Sequence, residues 1–135
     1  MPAPMSEVFR WWTEPDRMAR WMSPVGNAEA GVDLRVGGTF WVTMVGEGHR
    51  LEHDGEYLEI DPPRRLVFTW RSPYTGPQPS VVTIDLEADG DSATLLRLVH
   101  SELPEAVVES HRGGWRIMFD RFERQLPAAL ISEEA

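Results

Sequence analysis

The chain has 135 residues, 41% of them hydrophobic, a net charge of −9 and no cysteine. That length fits one domain, taken here as residues 1–135, and that composition argues against disorder while excluding a disulfide framework, a thiolate nucleophile and a cysteine zinc site. All thirteen basic residues are arginine and they are scattered, so Schiff-base and P-loop lysines are excluded, and nucleic acid and anionic membrane are not expected partners.

No apolar run reaches the roughly 18 residues of a membrane span, and the N-terminus lacks a charged-then-apolar signal, so the cytosol is the expected compartment. Ser6 is placed to cap a short helix holding Val8, Phe9, Trp11 and Trp12. Thr13-Glu14-Pro15-Asp16 reads as a second helix start, with Thr13 as N-cap and Met18, Trp21 and Met22 on its apolar side. This tryptophan-rich pair is expected to plug one end of a sheet.

Six strands are then expected. They cover Ala28 to Leu34, Thr39 to Val45, Glu52 to Ile60 with a bulge at Asp54-Gly55, Leu66 to Arg71, Val82 to Glu87, and Ala93 to His100. Gly46–His49, Asp61–Arg64 and Ser72–Pro79 read as loops, and Ala88-Asp89-Gly90-Asp91 as a hairpin turn. Pro104 opens a short helix holding Val107 and Val108, and Gly113-Gly114 offers a flexible joint. Beyond it Trp115, Met118, Phe119, Phe122 and Leu126 recur at helical spacing as one bulky apolar stripe, with Arg116, Asp120, Glu123 and Arg124 opposite and Pro127 as the stop. Such a stripe needs a broad apolar partner, and the middle of the chain supplies only strands. The fold class is therefore α+β, a curved antiparallel sheet wrapped around a long C-terminal helix.

In this order, Val8–Pro15, Trp21–Pro24, Asp33–Gly38, Gly55–Trp70 and Gly113–Trp115 resemble the activator of heat-shock-protein-90 ATPase homologue-like family, within the START-like (polyketide cyclase-like, SRPBCC) helix-grip superfamily. The resemblance runs from about residue 8 to residue 126. It implies a seven-stranded sheet around a hydrophobic cavity, whose first strand precedes the two short helices and lies between the second and last strands. Here that strand is missing or very short. Uncovered edges invite pairing, so a homodimer through them is expected; the alternative is a start codon upstream. The resemblance further implies binding of lipids, steroids, polyketides or other flat apolar molecules. It carries no catalytic motif.

Strand alternation puts Phe68 and Trp70 with Leu66 on one face, Ile84 with Val82 and Leu86, and Leu98 and His100 with Leu96. Trp115, Met118, Phe119 and Phe122 face them from the helix. From the other flank comes Trp41, or its neighbours Phe40 and Val42, because the pattern leaves that strand's parity open. His100 is placed to orient a ligand oxygen or to exchange a proton, with Tyr57 a second proton-transfer candidate. A histidine hydrogen-bonded to the backbone near a strand end is the plainer alternative. His49, Glu52, His53 and Asp54 carry metal-ligand chemistry but read as a solvated hairpin, so no metal and no cofactor are expected. His111 is placed to cap the helix or stack on Trp115. The leading expectation is a carrier or sensor of a small hydrophobic molecule. Its rivals are a cavity enzyme of cyclase, dehydratase or hydrolase type, and a protein that docks to a chaperone.

Overall fold

The computed structural model describes residues 3–23, 27–46, 49–72, 79–90, 93–125 and 130–134. Two short helices, α1 (Met5–Thr13) and α2 (Pro15–Met18), precede strands β1 (Asn27–Val32), β2 (Thr39–Gly46), β3 (His49–Asp61), β4 (Arg65–Trp70), β5 (Ser80–Asp89) and β6 (Ala93–Ser101). A turn of 3-10 helix, Glu105–Val107, leads into α3 (Val108–Gln125), and a strand β7 (Leu130–Glu134) follows. The sheet runs β1 to β7 in sequence order. β1 to β6 form an antiparallel meander, while β7 lies parallel to β6, pairing Leu95 with Leu130 through Val99 with Glu134. Among the described residues no strand precedes α1, as expected, but the edge of β6 is not bare. The C-terminal strand covers it.

Alternation decides which side chains face inward. Phe68 pairs with Val82 and Val82 with His100, Leu66 with Ile84 and Ile84 with Leu98, and all six are buried. Their partners on the other phase, such as Arg65 and Asp85, meet on the outer face as an ion pair at 2.8 Å. The irregularity in β3 falls between Tyr57 and Glu59, not at Asp54-Gly55. The Asp89-to-Ala93 hairpin forms with Gly90 at φ +77°, a conformation only glycine adopts freely. The loop expected at Ser72–Pro79 lies for the most part outside the described residues, as do Leu126 and Pro127.

Three local expectations are corrected. Pro4, not Ser6, occupies the N-cap of α1. Thr13 ends α1, its hydroxyl donating to the Phe9 carbonyl at 3.0 Å, and the cap of α2 falls on Glu14. Glu14 is held there by Arg10 and Arg17, each at 2.8 Å. Finally, α3 runs unbroken through Gly113-Gly114, because burial of the stripe beyond them outweighs the roughly 1 kcal/mol each glycine costs a helix interior.

The α1–α2 pair packs against the sheet, α1 beside β5 and β6 and α2 beside β1, and its tryptophans also reach α3. Trp12 lies among Trp21, Phe68, Trp115, Phe119 and Phe122, and Trp21 stacks on Phe122 at 4.5 Å between ring centres. Such pairs add about 0.5–1.5 kcal/mol each beyond the area they bury. Arg121 of α3 donates to the Ser23 carbonyl and ties the two units together.

Candidate functional site

The aromatic packing fills the middle of the molecule. Phe68, Ile84, Leu98, Phe119 and Phe122 are all buried in one continuous core. A space stays open at one end, between the first half of α3 and the ends of β2, β3 and β4. It is a groove of about 170 Å³, predominantly apolar, lined by Met44, Leu51, His53, Trp70, Ser110, His111, Gly114, Trp115 and Met118. The floor is made by Trp70 and Trp115, whose rings lie 5.5 Å apart. Met44 and Met118 supply flexible walls.

Of the residues singled out in the sequence, Trp70, Trp115 and Met118 meet in this groove. Phe68, Ile84, Leu98, Phe119 and Phe122 are core residues beside it, not lining. Trp41 is corrected outright. Phe40, Val42 and Met44 take the inward phase of β2, so Trp41 points out and is 46% exposed. Its indole lies over Gly31 of the paired strand, where a Cβ would come within 2.2 Å of Nε1. Beside it Arg71 grips both carboxylate oxygens of Asp54, at 2.9 and 2.8 Å.

His100 reaches the core beneath the groove and is fully engaged. Trp115 Nε1–H donates to its Nδ1 at 3.0 Å. An indole N–H is only a donor, so Nδ1 accepts and the neutral ring carries its proton on Nε2. That proton faces Ser80 Oγ at 2.7 Å, and Ser80 passes its own to the Trp70 carbonyl, also at 2.7 Å. The chain Trp115–His100–Ser80–Trp70 is satisfied at every atom named. Burial first, and the nearby His111 second, push the His100 pKa down to about 3. The plainer reading of this histidine was right about an engaged ring and wrong about the partner: side chains hold it, not a backbone group.

His53 forms the far wall, its ring 4.8 Å from that of Trp70. Its Nδ1 sits 3.2 Å from the Leu51 carbonyl, and burial lowers its pKa to about 4 against the opposing pull of the Leu51 and Val42 carbonyls. His111 turns Nδ1 back to the Val107 carbonyl at 2.8 Å. Tyr57 is buried against Phe40 at 5.3 Å and does not line the groove. Its hydroxyl, raised in pKa by burial, has no partner among the described residues, and neither has the buried Trp12 Nε1. No group of three histidine, aspartate or glutamate side chains among the described residues could hold a metal ion; the side chain of His49 lies outside them.

A family model described as Activator of Hsp90 ATPase homolog 1-like protein matches residues 2–126. The chain belongs to this family. Among solved structures, this Hsp90-activator-homologue-like chain is similar to protein CV1439 from Chromobacterium violaceum, at 27% identity over 93% of this chain and 91% of that one, with a TM-score of 0.78. It is similar to CalU16 from Micromonospora echinospora at 32% identity, covering 92% and 69%, with a TM-score of 0.70. An HSP90 activator from Plasmodium falciparum, PFC0360w, shares the fold at 24% identity, covering 91% and 88%, with a TM-score of 0.75. No curated protein matches the chain.

Sequence reading missed Met44, Leu51, His53, Ser110, His111 and Gly114 as groove residues, and Ser80 as the partner of His100. Ser80 was within reach of the pattern. It opens a strand whose inward phase it shares with Val82, directly across from Trp70. The others depend on where α3 crosses the sheet, which no periodicity encodes.

Proposed function

We propose that this family member binds a small apolar, ring-shaped molecule in the groove between α3 and the sheet. The observation that carries this reading is the groove itself: a predominantly apolar hollow lined by Trp70, Trp115 and Met118. At about 170 Å³ it is smaller than the roughly 300–1,000 Å³ of drug-sized ligand sites. It matches the scale of apolar cavities, about 150 Å³, that accept benzene. A larger molecule would have to displace the Met44, Leu51 or Met118 side chains. Family membership supports the same reading.

The enzyme rival loses the pair expected for it, since His100 is engaged at both nitrogens and Tyr57 lies elsewhere; the polar groups that do line the hollow are His53, Ser110 and His111. One observation favours the chaperone-docking rival: Trp41 stands exposed on the outer face, with open hollows of about 590 and 410 Å³ on its two sides. That face shares only His53 with the groove, so the two readings can be tested apart.

The test is native mass spectrometry of freshly purified protein, followed by titration with benzene and toluene read by tryptophan fluorescence and by NMR shifts. Saturable binding is expected, lost in Met118→Trp, whose larger ring fills the groove, and kept in Trp41→Ala. Absence of saturation by any one-ring apolar compound, or unchanged binding in a folded Met118→Trp, would overturn the proposal.

A further inference from the structure

The groove is apolar but is lined by three polar side chains, His53, Ser110 and His111, with His100 in the core beneath, and they differ in what they can offer a ligand. Ser110 gives its hydroxyl proton to the Val107 carbonyl. His100 offers nothing, since Trp115 and Ser80 take both ring nitrogens. His53 is committed to the backbone at two points, its Nδ1 to the Leu51 carbonyl at 3.2 Å and its ring also to Val42. His111 is different. Its Nδ1 lies 2.8 Å from the Val107 carbonyl, which can only accept, so Nδ1 carries the proton and the lone pair of the neutral ring lies on Nε2. That nitrogen has no hydrogen-bond partner among the described residues, and the residue lines the groove. The half-buried ring is further fixed edge-on to His100, with centres 5.4 Å apart and planes at 84°. Its aim is therefore set by two neighbours before any ligand arrives.

A fixed acceptor with no partner among the described residues, in a groove that Trp70 and Trp115 line, selects for a particular chemistry. From this geometry we propose that His111 Nε2 accepts a hydrogen bond from the ligand, and that the ligand class is a one-ring aromatic bearing a hydroxyl, a phenol. This deepens the proposed groove-binding function and rests on it. The ring provides the apolar area that Trp70, Trp115 and Met118 cover. The hydroxyl supplies the donor that Nε2 lacks. A methyl in place of the hydroxyl takes water from Nε2 and returns no donor, which a site of this kind discriminates against.

The experiment compares phenol with toluene, nearly identical in shape, on the full chain and on His111→Leu. Affinities are measured by titration calorimetry, and the Nε2 resonance of 15N-labelled histidine is followed by NMR. Phenol is expected to lose roughly three- to tenfold in affinity relative to toluene on going to His111→Leu, the size of one neutral hydrogen bond. Toluene binding should persist in the variant, which shows that fold and groove survive. Saturating phenol should move the His111 Nε2 resonance in the unmutated protein, and toluene should not, a readout that stands even if His111→Leu fails to fold. A phenol-to-toluene ratio unchanged by His111→Leu, or an Nε2 resonance indifferent to phenol, overturns the role of His111 while leaving the groove reading intact. If neither compound binds the unmutated protein, the groove reading fails and this proposal fails with it.

Discussion

His100 carries the clearest thermodynamic consequence of any single residue. Its folded pKa, near 3, and that of His53, near 4, both lie below the value of about 6.5 that an exposed histidine keeps when the chain unfolds. The unfolded chain therefore binds more protons throughout the interval between. Stability is complete above pH 6.5 and falls as pH drops toward 4, at up to about 1.4 kcal/mol per pH unit for each ring. Urea midpoints measured from pH 7 to pH 4 should trace that fall, and His100→Phe should flatten part of it. His100→Ala should also cost about 2–4 kcal/mol at pH 7, because Trp115 Nε1 is left buried without an acceptor, Ser80 Oγ loses the donor facing it, and a cavity opens. Legibility at this scale was uneven. Alternation placed His100 inward correctly, but the engagement of its ring depended on Ser80 and Trp115, one on a neighbouring strand and one on a helix. For Trp41 the reading failed because Phe40, Trp41 and Val42 are all apolar, so either phase of β2 could have been the buried one.

Among the elements, α3 offers the sharpest test. Gly113 and Gly114 lie inside it, and a Cβ at either would meet nothing within 4 Å. Alanine at either position should therefore stabilise the protein by about 1 kcal/mol, through helix propensity alone. Only Gly114 lines the groove. Gly114→Ala should raise the melting temperature and weaken ligand binding, whereas Gly113→Ala should raise it by a similar amount and leave binding unchanged. Equal effects of the two on binding would show that the groove wall is elsewhere. β1 gives the opposite case: Gly31→Ala should destabilise, since its methyl group displaces the Trp41 indole from the sheet. The six antiparallel strands and the long helix were legible in the sequence because two-residue and 3.6-residue periods are strong in Val82–Leu86 and in Trp115–Phe122. Caps were less so. Thr13 followed by Asp16 has the look of a capping box, yet Thr13 is bonded back into α1, and the ion pairs of Glu14 with Arg10 and Arg17 fix the second start one residue later.

At the scale of the whole molecule, the missed element is β7. Leu130 and Ile131 are too short an apolar run to announce a strand, and what recruits them is the vacant edge of β6, a tertiary fact. The open edge expected beside the last strand of the meander is filled. That a tail from the same chain would cover it was not foreseen. Coverage narrows the possible dimer contacts to β1 and the outer side of β7. A chain ending at Gln125 should expose β6, and light scattering should show more self-association than in the full chain. Equal scattering by the two would mean that β7 protects nothing.

β7 also has a consequence for the order of events during synthesis. A meander of six strands ends with its last strand antiparallel to its first, so a seventh lying parallel to β6 has the polarity to join β1 as well. β7 follows α3 in the chain, so the edge of β6 that it covers acquires that cover only after the helix has been made.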